Sequence, residues 1–135
     1  MRTEFLEKGF SVDDYIRQEG GQTIEKIQAR EFYKEQLDYL FAKDVDGLID
    51  NHYNEDATLI GFDFVVKGRD ALKAHFRNYL QMLGHLEVKS TNKFREAEDT
   101  IFFEASVVSD LGPAEVYDAL VLKKGKIEYH FTGVK

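Results

Sequence analysis

The chain contains no cysteine, no tryptophan and a single proline. Without a thiol there is no disulfide framework, no cysteine nucleophile and no Cys-ligated zinc or iron–sulfur site. Long apolar runs are also missing. No stretch approaches the roughly 20 residues needed to span a bilayer, and Met1 to Phe10 carries charges where a signal peptide would carry its apolar segment. A soluble cytoplasmic protein with no membrane partner is expected. Positive charge is scarce, with 18 Lys and Arg against 25 Asp and Glu and a net charge of -7. Binding to a phosphate backbone needs clustered cations, so nucleic acid is not an expected partner. His52, His75, His85 and His130 have no H-E-x-x-H spacing, and Asp44-Val45-Asp46-Gly47 lacks the spacing of an EF-hand loop. There is no phosphate-cradling glycine loop either. No metal and no cofactor are therefore expected.

What is present is a globular composition: 135 residues, 43% apolar and 13% aromatic, enough for one compact domain with its own core. The first 22 residues read as an accessory segment, with Ser11 as N-cap and Asp14 in the capping-box neighbourhood of a short helix that Gly20-Gly21 ends. The main domain is expected over residues 23 to 135. Thr23 starts a long helix to about Ala42, with Ala29, Phe32, Tyr33, Gln36, Leu37 and Leu40 on its inward face. A short helix follows from Asp44 to about His52, then extended pieces from Ala57 to Phe62 and from Phe64 to Lys67. A third helix is expected from Arg69 to Leu83, with Leu72, Phe76, Tyr79, Leu80 and Leu83 as its buried stripe. From His85 onward the chain alternates with period two, which predicts three or four long antiparallel strands. The strand from Glu115 to Leu122 is apolar on both faces, so a second cover beyond the helices is expected, most economically a partner subunit.

The segments Ala42-Lys43-Asp44-Val45-Asp46-Gly47-Leu48, Glu55-Asp56-Ala57-Thr58, Lys67-Gly68-Arg69-Asp70-Ala71-Leu72 and the Gly125-Lys126-Ile127 turn come in an informative order. Together they resemble the NTF2-like superfamily, in particular its SnoaL-like and ketosteroid-isomerase-like branch, over about residues 23 to 134. The resemblance implies an α+β fold in which a curved antiparallel (mixed) sheet forms a cone around three N-terminal helices. It also implies a deep apolar pocket and, usually, a homodimer. This scaffold hosts isomerases, cyclases, dehydratases, epoxide hydrolases and plain binding modules, so function must be argued from the site.

Asp118 and His130 are the candidates for chemistry, since a carboxylate and an imidazole in an apolar hairpin are either paired or used. Asp118 stands close to where the resemblance places a protonated Asp of ketosteroid isomerases and the acid/base of SnoaL-like cyclases. Whether His130 joins it depends on the turn. A three-residue Lys123-Lys124-Gly125 loop with a G1 bulge pairs Leu122 with Lys126 and sets Asp118 directly across from His130. A two-residue Lys124-Gly125 turn pairs Asp118 with Phe131 and sends His130 to the opposite face. The bulged loop is the expectation, and the pair then forms a proton-transfer couple. Tyr33 and Gln36 are candidate orienting donors, and Thr132 lies two residues beyond His130. Phe62, Phe76, Tyr79, Phe102 or Phe103, and Leu120 are the expected apolar lining of a site for a small apolar organic ligand.

The isomerase set is incomplete. Its base position falls on Gly61 and Phe62, with Asp63 two residues late, and its helix tyrosine position holds Gln36. Glu104 is mid-strand and open to either face, and Arg69 and Asp70 serve the helix start. Two functions remain: cofactor-free proton transfer (isomerisation, cyclisation or dehydration), or a non-catalytic binding or dimerisation module in which Asp118 and His130 satisfy each other.

Overall fold

A computed structural model describes the backbone of residues 23–135 and the side chains from Ala29 onward. The expected helix at Ser11, Asp14 and Gly20-Gly21 lies outside the described residues. The chain divides into two compact units, residues 1–35 and 36–135. Helix α1 runs from Thr23 to Ala42. Ala29 and Tyr33 are buried in its first part and Gln36 in its second, as the three- and four-residue spacing predicts.

Helix α2 (Val45–His52) is started by Asp44, whose side chain accepts a hydrogen bond from the Gly47 amide at 3.0 Å. That bond satisfies a backbone donor the helix itself leaves unpaired. Asp44→Ala is expected to cost about 1 kcal/mol, the usual value of such a cap, read as a lower urea midpoint with unchanged slope. Helix α3 (Arg69–Leu83) buries Leu72, Phe76, Leu80 and Leu83. Tyr79, expected in the same stripe, sits at its margin with 37% exposure. Gly84 closes α3 at φ 66°, with its amide bonded to the Leu80 carbonyl. A Cβ at Gly84 would run into the Asp110 carboxyl, so glycine is required there for both space and backbone.

Six strands form one sheet in the order β2-β1-β6-β5-β4-β3. They are β1 (Tyr53–Ile60), β2 (Val65–Lys67), β3 (Leu86–Ala97), β4 (Thr100–Ser109), β5 (Gly112–Lys123) and β6 (Lys126–Val134). The sheet is curved and unclosed, and mixed because β1 runs parallel to β6 while every other pair is antiparallel. β1 begins four residues before the expected Ala57, directly at the end of α2. Leu59, Ile101, Leu120 and Ile127 are almost wholly buried on the sheet's inner face, with Leu48, Ile49 and Leu72 of α2 and α3 buried to the same degree. Each such side chain contributes roughly 1.5–3 kcal/mol by leaving water. Among the described residues, no helix is long and apolar enough to cross a membrane.

The β5–β6 hairpin departs from the expected register. Lys123 pairs with Lys126 across a two-residue turn in which Lys124 (φ 56°) and Gly125 (φ 82°) both take the left-handed conformation. The G1-bulged loop is therefore replaced by a tight turn, the arrangement that would set His130 on the wrong face. A bulge one step further along reverses that outcome. Leu122 pairs with Ile127 but Val121 pairs with Tyr129, leaving Glu128 as an extra residue on β6. Asp118 thus pairs with Thr132 and Leu120 with His130. The inserted residue lets Ile127 and His130, three apart in sequence, both face inward. The Asn54 side-chain amide secures the spot, donating to the Lys123 and Lys126 carbonyls at 3.1 and 3.3 Å and to the Glu128 carboxylate at 3.0 Å.

The same bulge turns Tyr129 and Phe131 outward, where they stack with ring centroids 6.4 Å apart and remain 45% and 41% exposed. Phe102 lies on the same outer face, in one row with Ala119 and Phe131. Glu104, beside it, is held by Lys135 at 3.1 Å and Lys93 at 3.9 Å. Those cations account for the carboxylate on the outer face.

Candidate functional site

Two cross-strand rows of the inner face build the site. The first, Ile101, Leu120, His130 and Leu59, is sealed, with every member at 6% exposure or less. The second, Phe103, Asp118 and Thr132, is the adjacent inward-facing row. Asp118 keeps 15% of its side chain exposed and His130 only 7%. They meet diagonally rather than face to face: Nε2 of His130 lies 2.7 Å from Oδ1 of Asp118. That length is typical of a charge-assisted bond.

From His130 a file of hydrogen bonds runs inward. Nδ1 of His130 lies 2.8 Å from the Tyr53 hydroxyl, which accepts from Nε2 of Gln36 at 3.0 Å, while Oε1 of Gln36 lies 2.7 Å from Nδ1 of His52. Gln36, His52 and Tyr53 are all buried. Local sequence places them: Gln36 on the inward face of α1, His52 in the last turn of α2, and Tyr53 as its C-cap, with the Tyr53 amide bonded to the Ile49 carbonyl. Arg69, at the start of α3, donates through Nε and Nη2 to the Tyr53 carbonyl at 3.2 and 2.9 Å. The Tyr53 backbone is thereby fixed on both sides. Burial pushes the Tyr53 hydroxyl far above the ordinary phenol range; the Gln36 bond opposes this and the Asp118 charge adds to it. The hydroxyl keeps its proton.

Helix α3 contributes His75, Phe76 and Tyr79. The Phe76 ring lies 6.0 Å from that of Tyr53, and His75 packs among Phe64 at 4.9 Å, Phe76 at 5.8 Å and Tyr79 at 6.3 Å. Tyr79 is close enough to Asp118 for the carboxylate to raise its pKa, after burial, which is the larger cause. His75 has its pKa lowered, first by burial and then by His130. A histidine held neutral by folding binds protons less readily than in the unfolded chain, so stability falls as pH drops below the unfolded value near 6.5 and is fully present above it. Thermal melts of wild type and His75→Phe from pH 5 to 8 check this. The variant is expected to gain on wild type only at the acid end.

The structure thus brings together Asp118, His130, Gln36, Phe76, Phe103, Leu120 and Thr132 of the expected set, with Tyr79 at the edge. Phe62 is not among them. It projects from the loop after β1 with 91% exposure, because β1 ends at Ile60 and the turn to β2 carries Phe62 off the inner face. Asp63 in the same loop is exposed, so the isomerase base position holds no inward carboxylate. Tyr33 falls in the first unit. The hydroxyl beside His130 belongs to Tyr53, which sequence reasoning left in a linker. Its signal was the tyrosine directly after a helix-ending His52, ahead of a polar Asn54-Glu55-Asp56 run that hid the start of a strand. Among the described residues no three His, Asp or Glu side chains converge as metal ligands.

No protein-family model matches the sequence, and a search of curated proteins finds no match. Solved structures do match. One is a proposed isomerase of the SnoaL-like family from Agrobacterium tumefaciens, with TM-score 0.69 and 14% identity over 81% of this chain and 98% of that one. A proposed polyketide cyclase from Sinorhizobium meliloti aligns with TM-score 0.67 and 14% identity, covering 76% of this chain and 94% of that one. An NTF-2 like protein of unknown function from Burkholderia xenovorans gives TM-score 0.69 and 17% identity over 82% and 84%.

Proposed function

We propose that this chain, whose α+β fold is the NTF2-like fold, binds a small, largely apolar organic molecule against Asp118 and catalyses a cofactor-free proton transfer on it. Isomerisation, cyclisation and dehydration are the reactions in view. The observation that carries the reading is the Asp118–His130 pair itself: one carboxyl oxygen bonded to a buried imidazole at 2.7 Å, on a side chain that keeps 15% exposure between Phe103 and Thr132 in its row. Among the described residues, His130 is the carboxyl's one hydrogen-bond partner. Oδ2 is then the atom that meets the ligand.

Both ring nitrogens of His130 are engaged, so Asp118 is the group that takes or gives the substrate proton. His130 orients the carboxylate and stabilises its charge. Apolar neighbours such as Phe103 and Leu120 keep the carboxylate poorly hydrated, which favours proton exchange with a carbon acid. The likeness to a proposed isomerase and a proposed polyketide cyclase supports the same class of chemistry. A second copy of the chain is the cover that this reading assigns to the exposed Phe102, Tyr129 and Phe131 face.

The test is solvent exchange. Small cyclic ketones and 1,3-dicarbonyl compounds are incubated with the protein in D2O and followed by NMR for exchange at the carbon next to the carbonyl. Exchange above the buffer rate for at least one compound supports the reading. Saturable binding with no exchange or turnover across the panel overturns it in favour of a binding module.

A further inference from the structure

The buried file from Asp118 to His52 has a direction, and that direction follows from counting donors and acceptors. Nε2 of Gln36 is an amide nitrogen and can only donate, so the Tyr53 oxygen accepts from it at 3.0 Å. Oε1 of Gln36 can only accept, so the 2.7 Å contact with His52 requires a proton on Nδ1 of His52. The Tyr53 hydroxyl already receives the Gln36 donor, so its own proton goes to its remaining neighbour, Nδ1 of His130, at 2.8 Å. That nitrogen is therefore bare. A neutral imidazole carries its proton on the other nitrogen, so Nε2–H of His130 donates to Oδ1 of Asp118 at 2.7 Å. If Nδ1 of His130 also carried a proton, two donors would converge on one hydroxyl whose own proton had no acceptor. Tyr53 is wholly buried, and such an unmet group costs about 1–3 kcal/mol.

We propose that Gln36 and His52 are positioning residues that act through Tyr53 to hold His130 as its Nε2–H tautomer, so that its one proton is always aimed at Asp118. The inference deepens the functional reading above, in which Asp118 is the group that exchanges a proton with the ligand. Neither Gln36 nor His52 touches that ligand. Their effect is to keep Oδ1 as the anchored oxygen and Oδ2 as the working one. The groups that bear on His130 are Asp118 on β5, Tyr53 on β1, and His75 on α3, whose charge His130 opposes.

The tautomer is directly observable by nitrogen-15 NMR of histidine-labelled protein, with no substrate needed. Wild type at pH 7.5 is expected to show a pyrrole-like Nε2 and a pyridine-like Nδ1 for His130. Gln36→Glu keeps the side-chain length but replaces the donor facing Tyr53 with an acceptor. The Tyr53 hydroxyl then donates to the new carboxylate, its oxygen accepts from His130, and the His130 Nδ1 signal is expected to move to the protonated position. A wild-type spectrum showing a proton on Nδ1 overturns the proposal even if the variant does not fold. So does a folded variant whose His130 signals are unchanged. The two readings separate cleanly: the tautomer with no exchange activity on any carbon acid sinks the function alone, whereas exchange activity with a mixed tautomer sinks the lock alone.

Discussion

Asp118→Asn is expected to lower the exchange rate of a responsive carbon acid by about 10²- to 10⁴-fold, the range a positioned general base contributes. It should do so with little change in the urea midpoint. Asparagine has the same shape, and its carbonyl oxygen can accept from Nε2 of His130 where Oδ1 does now, at 2.7 Å. No buried partner is abandoned, which separates chemistry from folding. A variant of unchanged activity would remove Asp118 from the mechanism. Asp118→Leu is a less informative substitution, because it leaves the buried Nε2–H of His130 without an acceptor, which costs about 1–3 kcal/mol in its own right.

Tyr53→Phe carries the largest expected loss of stability. The ring that packs 6.0 Å from Phe76 is kept, so no cavity opens. What is lost is one oxygen that serves two buried groups, Nε2 of Gln36 and Nδ1 of His130. Each group left unpaired costs about 1–3 kcal/mol, or roughly 2–6 kcal/mol together. For a chain of this length that amounts to a fall in Tm of roughly 10 °C. Differential scanning calorimetry of the two proteins settles it; a shift within 2 °C, on the scale of an ordinary surface change, would mean that water takes the hydroxyl's place.

The two variants act on one file of bonds, Asp118 at its outer end and Tyr53 at its middle. At the Asp118 end the file reaches a carboxyl that keeps 15% exposure, and its alteration is expected to appear in rate. At Tyr53 it is enclosed and the same kind of change appears in stability. Arg69 joins both, since it ties the Tyr53 carbonyl to the start of α3, the helix that carries His75, Phe76 and Tyr79. The role expected for Arg69 at the helix start is thus extended by a contact 16 residues back along the chain.

Local signals in the chain determined a good part of this. The absence of cysteine closed off thiol chemistry. Leu72, Phe76, Leu80 and Leu83 recur at helical spacing, and the helix expected from Arg69 to Leu83 has those ends in α3. The tension of Asp118 and His130 within apolar strands marked them as a pair, because an isolated buried charge is too costly to persist. Only the tertiary structure decided how they meet. Strict alternation puts Ile127, Tyr129 and Phe131 on one face and His130 on the other, and the Lys124-Gly125 turn alone would have sent His130 outward. The face a strand residue takes depends on pairing with its neighbours, and one extra residue inverts it for everything beyond. That residue is Glu128, held through Asn54 from a strand more than 70 positions earlier in the chain. Tyr53 escaped notice for the same reason: its partners Gln36 and His130 lie 17 and 77 residues away, distances across which the sequence carries no periodic signal.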